Sequence, residues 1–521
     1  MQRNASAKQL RSLTALLRIG LGIALLTGLF YFTPASPVLA GPPDPQVYLV
    51  KDILPGSDGS YPMNLTNVNG TLFFTATDDP NPGIIFFGSA PKTGTYGFEL
   101  WKSDGTEAGS QLVKDIYPGA YNSFPLNLTA LNDTLFFVAN DGVHGEELWK
   151  SDGTQAGTQL VKDIYAGSGA SLPDYLTVVG DMLFFVASDE SHGAELWQSD
   201  GTEAGTLLVK DIFPGSENSD SMFLTNQNDT LFFSANDGTN GVELWQSDGT
   251  EAGTQLVKDI FPGINNANPR RLTDVDGTLF FSASTGISGN ELWKSDGTDT
   301  GTEMVKDINS SGSSDPYNLI AMNGMLYFIA DDGSHGDELW KSDGSAANTQ
   351  MVKDIFVGSY YSYIEELIVL NDLLFFSADD GTHGVELWKS DGSELGTVLV
   401  RDMDPGSESS YPGELTAVDG RLYFTASTFA FGDELWQSDG TQSGTRLVKE
   451  IIPGAASSYP TYLTNVNGRL FFAATDDLMD YFLRGPIKQA EMVSGPYGRE
   501  LYALSYFIYM PVIFSNSVPG F

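Results

Sequence analysis

After residue 47 the chain is a succession of short apolar runs, each broken by Asn, Asp, Gly or Pro. One unit reads Leu-Val-Lys-Asp-Ile, Pro-Gly-Ser, Leu-Thr-x-Val-Asn-Gly-Thr-Leu-Phe-Phe-x-Ala, Asp-Gly-x-His-Gly-x-Glu-Leu-Trp, Lys-Ser-Asp-Gly-Thr-x-Ala-Gly-Thr. The pattern predicts four strands per unit, a to d. In the second unit they run near Leu128–Leu131, Thr134–Ala139, Glu147–Lys150 and Gln159–Ile164. Asn132-Asp133 makes the tight a–b turn, because both residues tolerate positive φ. A glycine-rich loop, Asp141–Gly145, joins b to c, and Ser151–Thr158 turns c into d. No segment holds a 3.6-residue period, so helices are not expected.

The tryptophans measure the period. Trp101, Trp149, Trp197, Trp245, Trp293, Trp340, Trp388 and Trp436 are 48 residues apart, with one interval of 47. Four antiparallel strands in such a period match the blade of a closed β-propeller, an all-β fold. Apolar residues on both faces of strand b suit a sheet held between two neighbours. Leu-Phe-Phe or its variant occurs nine times, near Phe73, Phe136, Phe184, Phe232, Phe280, Tyr327, Phe375, Tyr423 and Phe471. The ninth Glu-Leu-Trp is replaced by Glu500-Leu501-Tyr502. The chain therefore opens with a lone d strand, Tyr48–Ile53, and closes with a unit that has only a, b and c. Pairing those ends gives nine blades and removes the free sheet edges. Eight blades plus an accessory unit is the alternative, and the apolar tail Ile508–Phe514 competes for the last d position.

The ends and the charge narrow the function. Arg3, Lys8, Arg11 and Arg18 precede an apolar run from Ile19 to Phe32, and Val38-Leu39-Ala40 offers small residues for cleavage before Gly41. This predicts an export signal over 1–40, followed by one domain over 41–521; an uncleaved anchor is the competing reading. The run is shorter than the roughly 20 residues of a spanning helix. With no cysteine, stability comes from packing, and thiolate metal sites are excluded. The net charge is −40, from 27 basic and 67 acidic residues. Nucleic acid and anionic lipid are therefore poor partners. Protein or glycan at a cell surface fits better.

The motif Glu99-Leu100-Trp101-Lys102-Ser103-Asp104-Gly105-Thr106, present in eight copies, resembles the bacterial ELWxxDGT repeat proteins over essentially the whole mature chain. The resemblance implies a secreted or surface repeat protein and carries no enzymatic activity with it.

Candidate chemistry must be weighed against repetition. His144, His192, His335 and His383 share one place in the b–c loop, beside Asp141, Asp189, Asp332 and Asp380; spread round a ring, they cannot converge. The repeated Glu147 and Lys162 suggest a cross-strand ion pair within each blade. Asp104 and its equivalents are expected to accept N–H bonds inside the c–d turn. Calcium is considered at Asp78-Asp79, Asp331-Asp332 and Asp379-Asp380, although none reproduces a spaced calcium loop. No other cofactor is indicated. Sequons such as Asn64-Leu65-Thr66 read as turn chemistry.

The copies differ at two long b–c connections, 78–98 and 476–499. They hold Phe86, Phe87, Lys92 and Tyr96, and Tyr481, Phe482, Arg484, Lys488 and Tyr497. Units one and nine adjoin in a closed ring, so these insertions are expected to meet. They would form an apolar patch or a brace for the seam. Arg270-Arg271 and Tyr360-Tyr361-x-Tyr363 depart from the repeat on the same face. The leading expectation is a non-catalytic binding scaffold. A glycan hydrolase or lyase in the central funnel is the alternative, and it requires unlike polar residues from several blades. A self-assembling surface protein is a third.

Overall fold

The computed structural model describes residues 46–56, 58–80, 94–476 and 498–505. The chain divides into units Met1–Pro43 and Asp44–Phe521, and the second alone is described here. The signal over 1–40 and the tail Ile508–Phe514 lie outside the described residues. Among those described, no helix is long and apolar enough to cross a membrane.

The strand signals become nine four-stranded antiparallel sheets. In the second blade they are Leu126–Leu131, Thr134–Asn140, Glu146–Ser151 and Gln159–Lys162. The a–b turns form as expected, with Asn132 at φ 54° and Asn467 at φ 50°. Neighbouring a strands touch one another round the ring, from Met63–Val68 of the first blade to Thr461–Val466 of the ninth. They form the inner wall. The opening strand, Gln46–Lys51, pairs with Arg499–Ser505, so the first segment of the ring completes the last blade. It begins two residues earlier than the sequence pattern suggested.

The core is divided among the joints. Between blades 1 and 2, Phe73, Leu100, Val113 and Ile116 meet Leu135, Phe137, Ala139 and Trp149. The other joints repeat this set with small changes, Tyr502 taking the place of tryptophan between blades 8 and 9. The closing one brings Val50, Ile53 and Phe471 against Leu72, Phe74 and Trp101. Each tryptophan thus fills a joint, with 3–7 % of its surface exposed. The joints are also tied by cations. Lys162 on strand d donates to the Thr206 carbonyl of the next blade at 2.8 Å and lies 5.9 Å from the Trp197 ring centroid. Lys150 on strand c donates to Gly201 O of the same c–d turn at 2.7 Å. That turn packs tightly: a Cβ on Gly201 (φ +85°) would stand 2.9 Å from Phe136 of the blade before it.

The expected pair of Glu147 with Lys162 does not form. Lysine reaches outward to the next blade, and the glutamate turns to its own backbone. Glu147 is fully buried. Its carboxylate accepts N–H bonds from Ile164, Tyr165 and Ser171, each at 3.1 Å, and the Ser171 hydroxyl at 2.5 Å. Four donors satisfy the oxygens more fully than one distant ammonium. In the ninth blade Glu500 binds Ile53 N and Ser60 N at 3.3 and 2.9 Å, which clasps the end of the chain to its beginning.

Burial raises these carboxyl groups against the pull of their donors. Glu99, Glu195, Glu243, Glu338, Glu386 and Glu434 are pushed up to about 7, and Glu500 to about 8. A folded-state pKa above the ordinary 4.5 means that the folded chain holds more protons between those values. The stability these glutamates contribute is therefore fully present below pH 4.5 and falls as pH rises through 7 to 8. The melting temperature is expected to decline steadily from about pH 5 to about pH 8.5, and to do so in high salt, where surface repulsion is screened. Calorimetry showing a rise over that interval contradicts this account of the glutamates.

Candidate functional site

The motif residues are consumed by the scaffold. In the second c–d turn, Asp152 Oδ1 accepts from Thr154 N at 2.8 Å and from its hydroxyl at 2.7 Å. Ser151 Oγ accepts from Gly153 N at 3.0 Å and meets Thr158 Oγ1 at 2.7 Å. These bonds hold Asp152 below the usual carboxylate range. Each histidine is a loop brace. His144, His335 and His383 contact their loop aspartates through Nδ1 at 2.8 Å, and His192 at 2.9 Å. The aspartate partner raises each imidazole pKa. Asn240 makes the same bond to Asp237 at 2.7 Å.

The paired aspartates considered for calcium spend oxygens on loop N–H groups. Asp78 accepts from Tyr96 at 2.6 Å, Asp331 from Gly333 at 2.7 Å and Asp379 from Gly381 at 2.7 Å. Among the described residues no group of three His, Asp or Glu side chains is placed to hold a metal ion.

Tyr96 is half-buried, held through its backbone by Asp78 and Thr77. Phe86, Phe87, Lys92, Tyr481, Phe482, Arg484, Lys488 and Tyr497 lie outside the described residues. Blades 1 and 9 do adjoin, and Tyr61 N donates to Arg499 O at 3.2 Å across that seam.

Function must come from where blades differ, and the described chain differs most where strand a begins. Ser171 is fixed by Glu147; Leu172 follows at φ 50° and Tyr175 at φ 54°. All nine blades repeat this double left-handed step. The second position is Asn64, Asn127, Tyr175, Phe223, Arg271, Asn318, Glu366, Glu414 and Tyr462 in turn. Such conformations are strained for non-glycine residues and persist only where their surroundings enforce them. A register shift follows in each a–b pair, as between Arg270 and Thr273. The bulge sits at the rim of the inner wall, on the end of the ring that also carries the b–c loops and d–a connections.

That end is apolar as well as variable. Among the described residues, every exposed large apolar or aromatic side chain except Leu207 and Leu395 lies in a b–c loop, a d–a connection or the first two residues of strand a. The examples range from Tyr175 at 37 % exposure to Ile287 at 94 %. Leu126, Leu172, Tyr175, Met222 and Phe223 occupy the rim of blades 2 to 4, and Tyr360, Tyr361, Tyr363 and Tyr411 stand before blades 7 and 8.

Between these sectors lies a cavity of about 710 Å³ in the inner wall of blades 5 to 7. Arg271, Tyr317, Asn318, Glu365 and Glu366 line it over Leu272, Leu319 and Leu367. The Arg271 guanidinium stands 5.2 Å from the Tyr317 ring centroid. The Tyr317 hydroxyl meets Asp337 Oδ2 at 3.4 Å, and burial raises its pKa. Burial, then the neighbouring Arg270, lowers that of Arg271. Arg270 pairs with Asp315 at 3.6 Å. Sequence departures therefore pointed to Arg270-Arg271 but not to Tyr317, Asn318, Glu365 or Glu366. The missed signal was the changing dipeptide before each Leu-Thr or Leu-Ile, which shows only when the copies are stacked in register.

No family model and no curated protein sequence matches the chain. Solved structures match the chain at low identity and low TM-score. A prolyl endopeptidase shares 11 % identity over 67 % of this chain and 54 % of its own, with a TM-score of 0.38. A puromycin hydrolase shares 14 % over 67 % and 58 %, with a TM-score of 0.33. The prolyl oligopeptidase B of Galerina marginata shares 11 % over 68 % and 54 %, with a TM-score of 0.37. The chain thus spans little more than half the length of these structures.

Replacing His383 by Asn is expected to keep the loop, as Asn240 does in its own blade. The far-UV spectrum should be unchanged and the melting temperature at pH 7 should move by less than about 2 °C. A fall of about 5 °C or more would show that the imidazole does more than brace its loop.

Proposed function

We propose that this chain is an exported, non-catalytic binding scaffold that takes a protein or glycan of the cell surface on the b–c/d–a end of its ring. One observation carries this reading: the concentration of exposed aromatic and aliphatic side chains on that end. Exposed apolar side chains gathered on one face mark contact sites, and tyrosine offers contact area at low entropic cost. Export rests on the basic-then-apolar segment before Val38-Leu39-Ala40 and on the resemblance to ELWxxDGT repeat proteins.

A second reading has its own support. Arg271, Tyr317 and Glu366 are unlike groups from three blades on one cavity, which is the arrangement a glycan hydrolase or lyase in the funnel requires. Release of new reducing ends from a bound oligosaccharide would establish it.

The binding reading is tested with the mature protein on an array of defined oligosaccharides and on intact bacterial cells. Wild type is expected to bind one of these. The triple variant Tyr360→Ser, Tyr361→Ser, Tyr363→Ser should lose about tenfold or more in affinity, roughly 1.4 kcal/mol, at unchanged melting temperature. No binding by wild type, or equal binding by the variant, overturns the reading.

A further inference from the structure

We infer that the cavity of blades 5 to 7 takes a carboxylate-bearing sugar, with Arg271 as its anion anchor. The inference rests on the binding reading above and names the ligand chemistry of one part of that surface.

Position explains what leaves Arg271 free to bind. At the equivalent place, Asn64 donates to Pro125 O of the next blade at 3.2 Å, and Asn127 to Pro173 O at 3.3 Å. Glu366 and Glu414 accept Leu415 N and Leu463 N of the following blades at 3.4 and 3.3 Å. These four side chains tie neighbours together. Arg271 makes no such bond: its guanidinium donates no hydrogen bond to a described residue and rests on the face of Tyr317 in the next blade. Most other cations of the ring are spent. Lysines on strands c and d, such as Lys294 and Lys306, end on backbone carbonyls at 2.9 and 2.8 Å, as does Arg469 at 3.1 Å. A planar fork of unused donors, already braced on an aromatic ring and standing in a cavity, matches a carboxylate held by two parallel bonds.

The rest of the cavity defines what carries that carboxylate. Glu365 and Glu366 offer a ligand acceptors, and the Asn318 amide adds an acceptor beside its two donors. The backbone adds more. At other joints a threonine hydroxyl caps the next blade's leucine carbonyl, as Thr225 does to Leu272 O at 3.4 Å and Thr416 to Leu463 O at 3.1 Å. Blade 6 has Ile320 at that place, and isoleucine has no hydroxyl to give to the carbonyl of Leu367, a cavity residue. One anion-binding fork among many acceptors calls for a ligand with a single carboxylate and many donors, which describes a uronic acid among neutral sugars. A dianion such as a sulfate-rich or phosphate-rich chain would meet Glu365 and Glu366 beside Arg271, on a protein of net charge −40. A peptide carboxylate brings few donors for the acceptor wall.

Calorimetric titration decides the matter. Three probes are used: an oligosaccharide with one uronic acid per repeat, the same oligosaccharide with its carboxyl groups reduced to alcohols, and a short peptide with a free C-terminal carboxylate. Wild type should bind the uronic oligosaccharide about tenfold or more tighter than its reduced form and tighter than the peptide. Arg271→Ala should erase the preference. Arg271→Lys should keep part of it, since charge without the fork remains. Arg421→Ala, outside the cavity, should change nothing. Equal binding of the reduced form, retained preference in Arg271→Ala, or preference for the peptide overturns the inference. Neutral binding that is lost only in the triple tyrosine variant leaves the scaffold reading standing and removes this one; no binding of any probe or of cells removes both.

Discussion

Each blade hangs on one buried carboxylate. The glutamate of Glu-Leu-Trp sits at the start of strand c and gathers donors from residues 17 to 24 places later. Ionic groups are rarely placed in a core without a partner, because desolvation is costly unless the oxygens are satisfied. Here the partners are backbone N–H groups of the d–a connection. That connection is irregular and would otherwise leave its own donors unmet. Carboxylate and connection therefore satisfy each other. The shape that results forces two residues per blade into the left-handed region and sets the bulge where strand a begins.

The same constraint places the variable residues. A side chain at the bulge stands on the rim of the inner wall because the glutamate holds the connection behind it. Nine equivalent anchors present five kinds of side chain at one height, so Arg271, Asn318 and Glu366 come together although some 47 residues separate successive positions. The invariant part of the repeat makes the geometry and the variable part the chemistry. Tryptophans, turn aspartates, histidines and lysines are all bonded or packed within the ring, which leaves them little to offer a ligand.

Closure depends on equality of the joints. Stacked units bury a continuous core only if every unit has two neighbours. The closing joint repeats the Phe, Leu and Trp set of the others, and Lys51 donates to Ser110 O at 2.8 Å as its equivalents do in theirs. Glu500 then ties residues 440 positions away through Ser60. The first and last units are joined by the device that shapes every blade, and strand pairing leaves no free edge at the seam.

Much of this was legible in the chain itself. The 48-residue period, the Asn and Gly turns and the split last unit specified an all-β ring of nine closed by its own beginning, because turn chemistry and strand alternation are local properties. The turn role of Asp152 was legible for the same reason. The partner of Glu147 was not. A sequence places glutamate and lysine on adjacent strands, but only the fold shows that the lysine leaves its blade while backbone donors return to the glutamate. Nor could the cavity be read from Arg270-Arg271 alone. Its other walls come from blades 6 and 7, and which residues share one height of the inner wall is decided by the bulge that the buried carboxylate imposes.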